Sequence, residues 1–299
     1  MMRFERAWMD RNWSGEALRE VRAAACAQIE TLESACERIT QPVLGQHLVW
    51  RRVGSGPPLV LLHGGHGSWL HWARVIPELS SSFSLWMPDM PGYGDSTLTP
   101  THGLDELVAQ LRQGLDALLG APTPIFVAGF SFGGLVSARL AAQCDRVQRL
   151  VLIGPAGHGG PRRQTVSLLP WRELNPDADP VGWANRMRHN LLAQMLHSEA
   201  AVDGLAMEIQ WRGCLNTRFR SKPFSRSAAL AAVLSRYPGE ALTVWGEHDV
   251  TGTPQDMVVD LVPAAARRQW LIVGGAGHWL MHECPAVTAS LLKSGFDGG

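Results

Sequence analysis

The run Gly129-Phe130-Ser131-Phe132-Gly133 constrains this chain more than any other part of its 299 residues. The apolar stretch Ile125–Ala128 leads straight into it, and a helical pattern follows to about Cys144. A serine between two glycines at a strand-to-helix junction implies a very tight turn. Side chains at the glycine positions would clash, and the serine takes a strained backbone conformation. The following helix starts at the serine, so its N-terminal dipole favours negative charge developing there. A junction of this kind needs a parallel sheet with helices packed against it.

The flanking sequence supplies the other parts of such a sheet. Strands are expected at His47–Arg52, Pro58–Leu62, Phe83–Met87, Val147–Ile153, Leu242–Trp245 and Gln269–Val273. Helical periods cover Leu70–Leu79 and Leu104–Leu119, the latter stopping at Gly120. Strands alternating with helices predict an α/β fold with a mostly parallel central sheet and helices on both faces. A further helix is expected over 14–38, with Ser14 as its N-cap and Leu18, Val21, Ala25, Ile29, Leu32 and Cys36 on its apolar face. The rhythm breaks between 158 and 236, a segment rich in Arg, Trp and Met with helical stretches but no buried-strand pattern. The expected organisation is therefore a helical extension over 1–40, a core over 41–157 and 237–299, and a helical cap over 158–236.

Composition excludes several function classes. Hydrophobic residues make up 45 % and charged residues 18 %, an ordinary globular balance. With 27 basic and 27 acidic residues the formal charge is zero, which argues against a nucleic-acid partner. The 5 cysteines form no CxxC pair, so cysteine-bound metal is not expected and a reducing compartment is. No run approaches the roughly 18 apolar residues of a membrane span. The first residues, with Arg3, Glu5, Arg6, Asp10 and Arg11, lack the pattern of a secretory leader. A cytoplasmic protein acting on a small molecule is the expectation, with no membrane partner. The N-terminal helix is a candidate subunit contact in a homo-oligomer.

Serine is a weak nucleophile without a base. His278 is the candidate base, because it follows the last expected strand in Gly274-Gly-Ala-Gly-His278. Active residues of parallel sheets gather at strand C-terminal ends. His282 is a weaker rival. Asp249, in Trp245-Gly-Glu-His-Asp249, is the candidate that orients the imidazole, in preference to Glu247 and Asp256. The order Ser, Asp, His suits a G-x-S-x-G turn. An oxyanion needs backbone donors. Phe132 N–H is one, and Gly65 N–H, in His63-Gly-Gly-His-Gly67, is the chosen second. His63 is read as tying that loop together. The run Asp89–Ser96 is read as a Pro/Gly turn organised by Asp89. Candidate substrate contacts are His66, Phe130, Arg218 and Trp279, with Trp183 and Trp211 as further aromatic candidates.

Taken together, residues 47–157 and 237–295 resemble the α/β-hydrolase superfamily. The resemblance implies a cap at the insertion and an acyl-enzyme route without a cofactor. Within it, Ile153-Gly-Pro-Ala-Gly157 and the pair His278-Trp279 are similar to hydrolases that split carbon–carbon bonds in aromatic meta-cleavage products. That similarity implies a cap arginine for a substrate carboxylate, with Arg212, Arg218 and Arg220 as candidates. Two features depart from that subfamily: Ala156 stands where a glycine is usual, and His63–Gly67 has no proline. Ester hydrolysis and C–C cleavage both remain open, as does a cofactor-free lyase or haloperoxidase.

Overall fold

Apolar β-prone runs buried on both faces build the centre of the molecule. The computed structural model describes residues 14–43, 46–97, 103–261 and 267–296. Its strands are β1 (Glu37–Val43), β2 (Gln46–Val53), β3 (Pro58–Leu62), β4 (Ser84–Asp89), β5 (Ile125–Phe130), β6 (Val147–Ile153), β7 (Glu240–Gly246) and β8 (Arg268–Val273). Its helices are α1 (Gly15–Ser34), α2 (Ile76–Leu79), α3 (Leu104–Leu119), α4 (Phe132–Ala142), α5 (Pro180–Gln194), α6 (Gly204–Leu215), α7 (Lys222–Ser225), α8 (Ala229–Leu234), α9 (Pro254–Leu261), α10 (Leu280–Glu283) and α11 (Pro285–Phe296).

The strands form one sheet in the order β1-β2-β4-β3-β5-β6-β7-β8. The pairs β1–β2 and β2–β4 are antiparallel and the others parallel. Alternation along β3 shows how both faces are filled. Leu59 and Leu61 join one buried cluster with Met87, Phe130 and Trp279, while Val60 and Leu62 join another with Trp86, Leu111 and Trp245. The chain runs from β3 to β4 on one side and returns through α3 to β5 on the other. That reversal opens a crevice beyond the strand C-termini, where ligands of such sheets bind.

Two local expectations change. The N-terminal helix ends at Ser34, and Glu37–Val43 is an edge strand paired with β2, so a boundary at 40 falls inside the sheet. The pattern Glu37-Arg-Ile-Thr-Gln-Pro-Val alternates with only Val43 buried, as an exposed edge permits. Cys36 carried the helical period past the true end by coincidence. The helix expected over Leu70–Leu79 is instead a 3₁₀ turn at Trp69–Trp72 followed by the single turn α2. Three large residues, Trp69, Leu70 and Trp72, are buried there, so tertiary packing outweighs the amphipathic period. Of the expected 1–40 extension, residues 1–13 lie outside the described residues.

Between β6 and β7 the described elements are helical: α5, α6, α7 and α8. Met187 and Leu191 of α5 and Leu205 and Ile209 of α6 share a buried cluster with Leu18 and Ile29 of α1 and with Trp69, Trp72 and Trp279. Trp183 and Trp211 belong to this packing.

Candidate active site

Five sequence-distant loops leave the sheet at the same rim, and each brings one part of the site. The first is the turn after β5. Ser131 has φ 52° and ψ −117°, one of two described non-glycine residues at positive φ. Its N–H donates to Ile153 O at 2.9 Å, and its carbonyl accepts from Ala156 N–H at 2.9 Å. Both flanking glycines are required. A Cβ at Gly129 would stand 2.2 Å from Ser137 Oγ, and one at Gly133 would stand 2.4 Å from the carbonyls of Leu62 and His63. The backbone strain is thus maintained by surrounding packing.

The loops after β7 and β8 bring Asp249 and His278 together. Their Oδ2 and Nδ1 lie 2.7 Å apart, with both side chains buried. Thr251 donates to Asp249 Oδ1 from its N–H and its hydroxyl, each at 2.7 Å. Burial alone would raise the Asp249 pKa. The adjacent imidazole and the Thr251 bonds outweigh it, so the carboxyl sits below its usual range and stays ionised. An ionised Asp249 can only accept, so the proton between the two groups sits on His278 Nδ1. Thr251 escaped the sequence reading, although Asp-x-Thr after a strand is an Asx-turn signal. Glu247 instead accepts from Gly275 N–H at 2.9 Å, and His282 Nε2 lies 3.1 Å from Ala201 O. Gly154, at φ +48° after β6, fits against the pair, since a Cβ there would be 2.9 Å from both Asp249 Oδ2 and His278 Nδ1.

The loop after β3 carries the expected oxyanion donors. His63 Nε2 accepts from Met90 N–H at 3.0 Å, so its Nδ1 donates to Gly64 O at 2.8 Å. Burial lowers this imidazole to about 4, which keeps it neutral. His71 Nδ1 accepts from Gly64 N–H at 3.1 Å. Gly67 is needed because a Cβ there would lie 2.0 Å from the His71 ring. Gly65 N–H has no acceptor among the described residues, and Phe132 N–H opens α4, where the helix offers it none. Asp89 organises the next loop, accepting from Trp69 N–H at 3.1 Å and Asp95 N–H at 2.9 Å.

These parts line one cavity of about 280 Å³, in which Gly65, His66, Phe130, Ser131, Phe132 and His278 all take part. The Phe130 ring lies 4.8 Å from the His278 ring. Two expected substrate contacts sit elsewhere. Arg218 donates to the carbonyls of Gly94, at 3.2 Å, and of Ser96, clamping the 93–96 loop. Trp279 is buried in the core and donates from Nε1 to His71 O at 2.8 Å. Arg212 is bound to Glu208 at 2.8 Å. Sequence reasoning missed the cations that do line the cavity, Arg162, Lys222 and Arg226, together with His158.

Comparison with known proteins places this architecture. Residues 57–285 match the family described as the alpha/beta hydrolase fold. A 2-hydroxymuconate semialdehyde hydrolase from Pseudomonas sp. (strain CF600) is 28 % identical over 250 residues, covering 80 % of this chain and 86 % of the relative. A pimeloyl-[acyl-carrier protein] methyl ester esterase from Vibrio vulnificus is 37 % identical over 130 residues, covering 43 % of this chain and 46 % of the relative. The crystal structure of naproxen esterase from Bacillus subtilis superposes with a TM-score of 0.71 at 18 % identity, over 96 % of this chain and all of that one, a likeness of fold. The chain is a member of the alpha/beta hydrolase fold family and a hydrolase by kinship.

Proposed function

We propose that this hydrolase cleaves a small carboxylic ester through an acyl-enzyme, with Ser131 as nucleophile, His278 as base and Asp249 as the group that orients it. The observation that carries this reading is the buried 2.7 Å contact between His278 Nδ1 and Asp249 Oδ2, beside a positive-φ serine in the same cavity. His278 Nε2 takes the Ser131 proton as Oγ attacks the ester carbonyl. The N–H groups of Phe132 and Gly65 hold the oxyanion, each donor being worth roughly 2.7–4 kcal/mol. His278 then protonates the leaving alkoxide. A water molecule, deprotonated by the same nitrogen, releases the acid and restores Ser131. The helical block over 158–236 acts as a cap in this scheme. It contributes Ser221 to the cavity wall, and the Ser221 hydroxyl stands 2.8 Å from where a Gly65 Cβ would be.

A second reading is C–C bond hydrolysis of a meta-cleavage-type diketone. It is favoured by the similarity to the Pseudomonas hydrolase across 250 residues. One comparison separates the two: turnover of p-nitrophenyl esters of graded length beside a meta-cleavage product, by wild type and by Ser131→Ala. Ser131→Ala is expected to lower kcat by roughly 10³ or more on the preferred compound. Wild-type kcat in that variant would remove Ser131 from the mechanism. Incorporation of oxygen from labelled water into the acid product separates hydrolysis from a lyase route.

A further inference from the structure

The backbone on either side of His278 is held from the inserted block. Glu283, at the end of α10, is half-buried, and its carboxylate accepts three backbone N–H groups. Oε1 takes those of His197 and Ser198, each at 2.8 Å, and Oε2 takes that of Gly277 at 2.6 Å. Gly277 immediately precedes the candidate base, whereas His197 and Ser198 follow α5 in the inserted block. Trp279, on the other side of the base, donates its N–H to Met195 O at 2.7 Å. Met195 in turn lines the chamber that holds Ser131 and His278. The approach is close: a Cβ on the buried Gly277 would stand 2.6 Å from His197 N and 2.8 Å from Glu283 Oε2. The His197 ring stacks at 3.6 Å on that of His248, the residue before Asp249. The short segment 195–198 is thus fastened across both loops that carry the His278–Asp249 pair. A carboxylate suits this place because it accepts at both oxygens, and its charge-assisted bonds to N–H are about twice as strong as neutral ones.

We infer that Glu283 is a positioning residue: by tying Gly277 to residues 197 and 198 it fixes the His278 imidazole relative to Ser131 and links the base to the chamber wall at Met195. The inference rests on the serine-hydrolase reading and adds a residue to it. Asp249 holds the ring at Nδ1, but the approach of the ring to Ser131 also depends on where the backbone of 277–279 lies. Glu283 does not line the chamber, so it acts through His278 and not on substrate. A misplacement near 1 Å costs about 10² in rate.

Steady-state kinetics of Glu283 variants test it. Glu283→Gln keeps the length of the side chain, but its amide group turns a donor toward one of the three N–H groups. It is expected to lower kcat on the preferred compound by roughly 10- to 100-fold. KM should stay within about twofold, because the base serves acylation and deacylation alike and no substrate contact is lost. A cycle with His278→Ala separates positioning from a general role in structure. The oxyanion hole and binding leave that variant a residual rate, measured on an activated p-nitrophenyl ester. His278→Ala and His278→Ala/Glu283→Gln should turn over within about twofold of each other, since the second change has no imidazole left to misplace. Glu283→Asp, which keeps the charge but is too short to span both partners, gives the same direction if the Gln variant lacks a cooperative melting transition. Wild-type kcat in both Glu283 variants overturns the inference, as does a fall of the same size with and without His278. Failure of the serine reading looks different: Ser131→Ala would then keep wild-type turnover, whatever the Glu283 variants do.

Discussion

Gly154 is the residue on which the geometry of the Asp249–His278 pair most visibly depends. At φ +48° any side chain is strained, and a Cβ would press to 2.9 Å from both hydrogen-bonding atoms of the pair. Neither neighbour is the free end of a flexible chain: His278 and Asp249 are both buried. Gly154→Ala should therefore lower kcat/KM by about 10², the cost of a misplacement near 1 Å. Steady-state kinetics on the preferred compound check this, and wild-type kinetics in the variant would show that the pair tolerates displacement. The residues of the site were legible in the sequence to unequal degrees. Ser131 and Asp249 follow buried strands and His278 follows the edge strand β8, each within a few residues and in a loop bearing glycine, so local pattern suffices to single them out as candidates. Arg218 and Trp279 carry no such signal. Their partners Ser96 and His71 lie 122 and 208 positions away along the chain, and only the folded arrangement decides that each is consumed by a carbonyl. Arg162 and Arg226 escaped notice for the same reason, since a guanidinium that lines a cavity cannot be told from a paired one by its neighbours in sequence.

At the level of elements, α1 shows what periodicity reads and what it cannot. The apolar stripe with Leu18, Ala25 and Ile29 was visible, and these three are the buried residues of the helix. Its docking partner was not visible. The helix lies on α6, where Glu208 is only 2 % exposed and is bound by Arg22 of α1 at 2.9 Å and by Arg212 at 2.8 Å. Arg22 also reaches Asp177 at 2.6 Å, so the helix grips the inserted block at two points. A carboxylate this buried is tolerated because both its oxygens are engaged by cations. Glu208→Ala leaves two part-buried guanidiniums facing each other. It should destabilise the protein by about 2 kcal/mol, or roughly 4–8 °C in Tm. Thermal melts of wild type and variant measure this directly, and an unchanged Tm would mean that α1 is held by its apolar stripe alone. The edge strand β1 was missed for a related reason. With one buried side chain in Glu37–Val43, its identity comes from pairing with β2 rather than from its own composition.

For the molecule as a whole, the polar groups sealed inside set how it responds to acid. Burial holds His63 down to about 4, and burial with nearby histidines holds His71 well below its usual 6.5. In the unfolded chain both titrate near 6.5. As pH falls below that value the unfolded chain takes up protons that the folded protein refuses, so stability falls. Asp89 acts in the opposite sense. Burial raises it from 3.8 to about 6, so between those values the folded state is the better proton acceptor and gains stability as pH falls. The two histidines outweigh the one carboxylate, so unfolding takes up protons between about pH 6 and 4 and stability declines across that window. His66, His158 and His282, all lowered by burial first, add to the same sign. The depressed Asp249 contributes only below the ordinary carboxylate range, where protonating it ends its bond to His278. Urea unfolding at pH 6.5, 5.5 and 4.5 should show that decline in wild type. His71→Asn, whose amide oxygen can take over as acceptor for Gly64 N–H, removes one of the two histidines and should flatten the slope. Stability that stays level or rises toward pH 4.5 in wild type would mean that these interior imidazoles accept protons in place, and the neutral His63 in the loop after β3 would have to be abandoned.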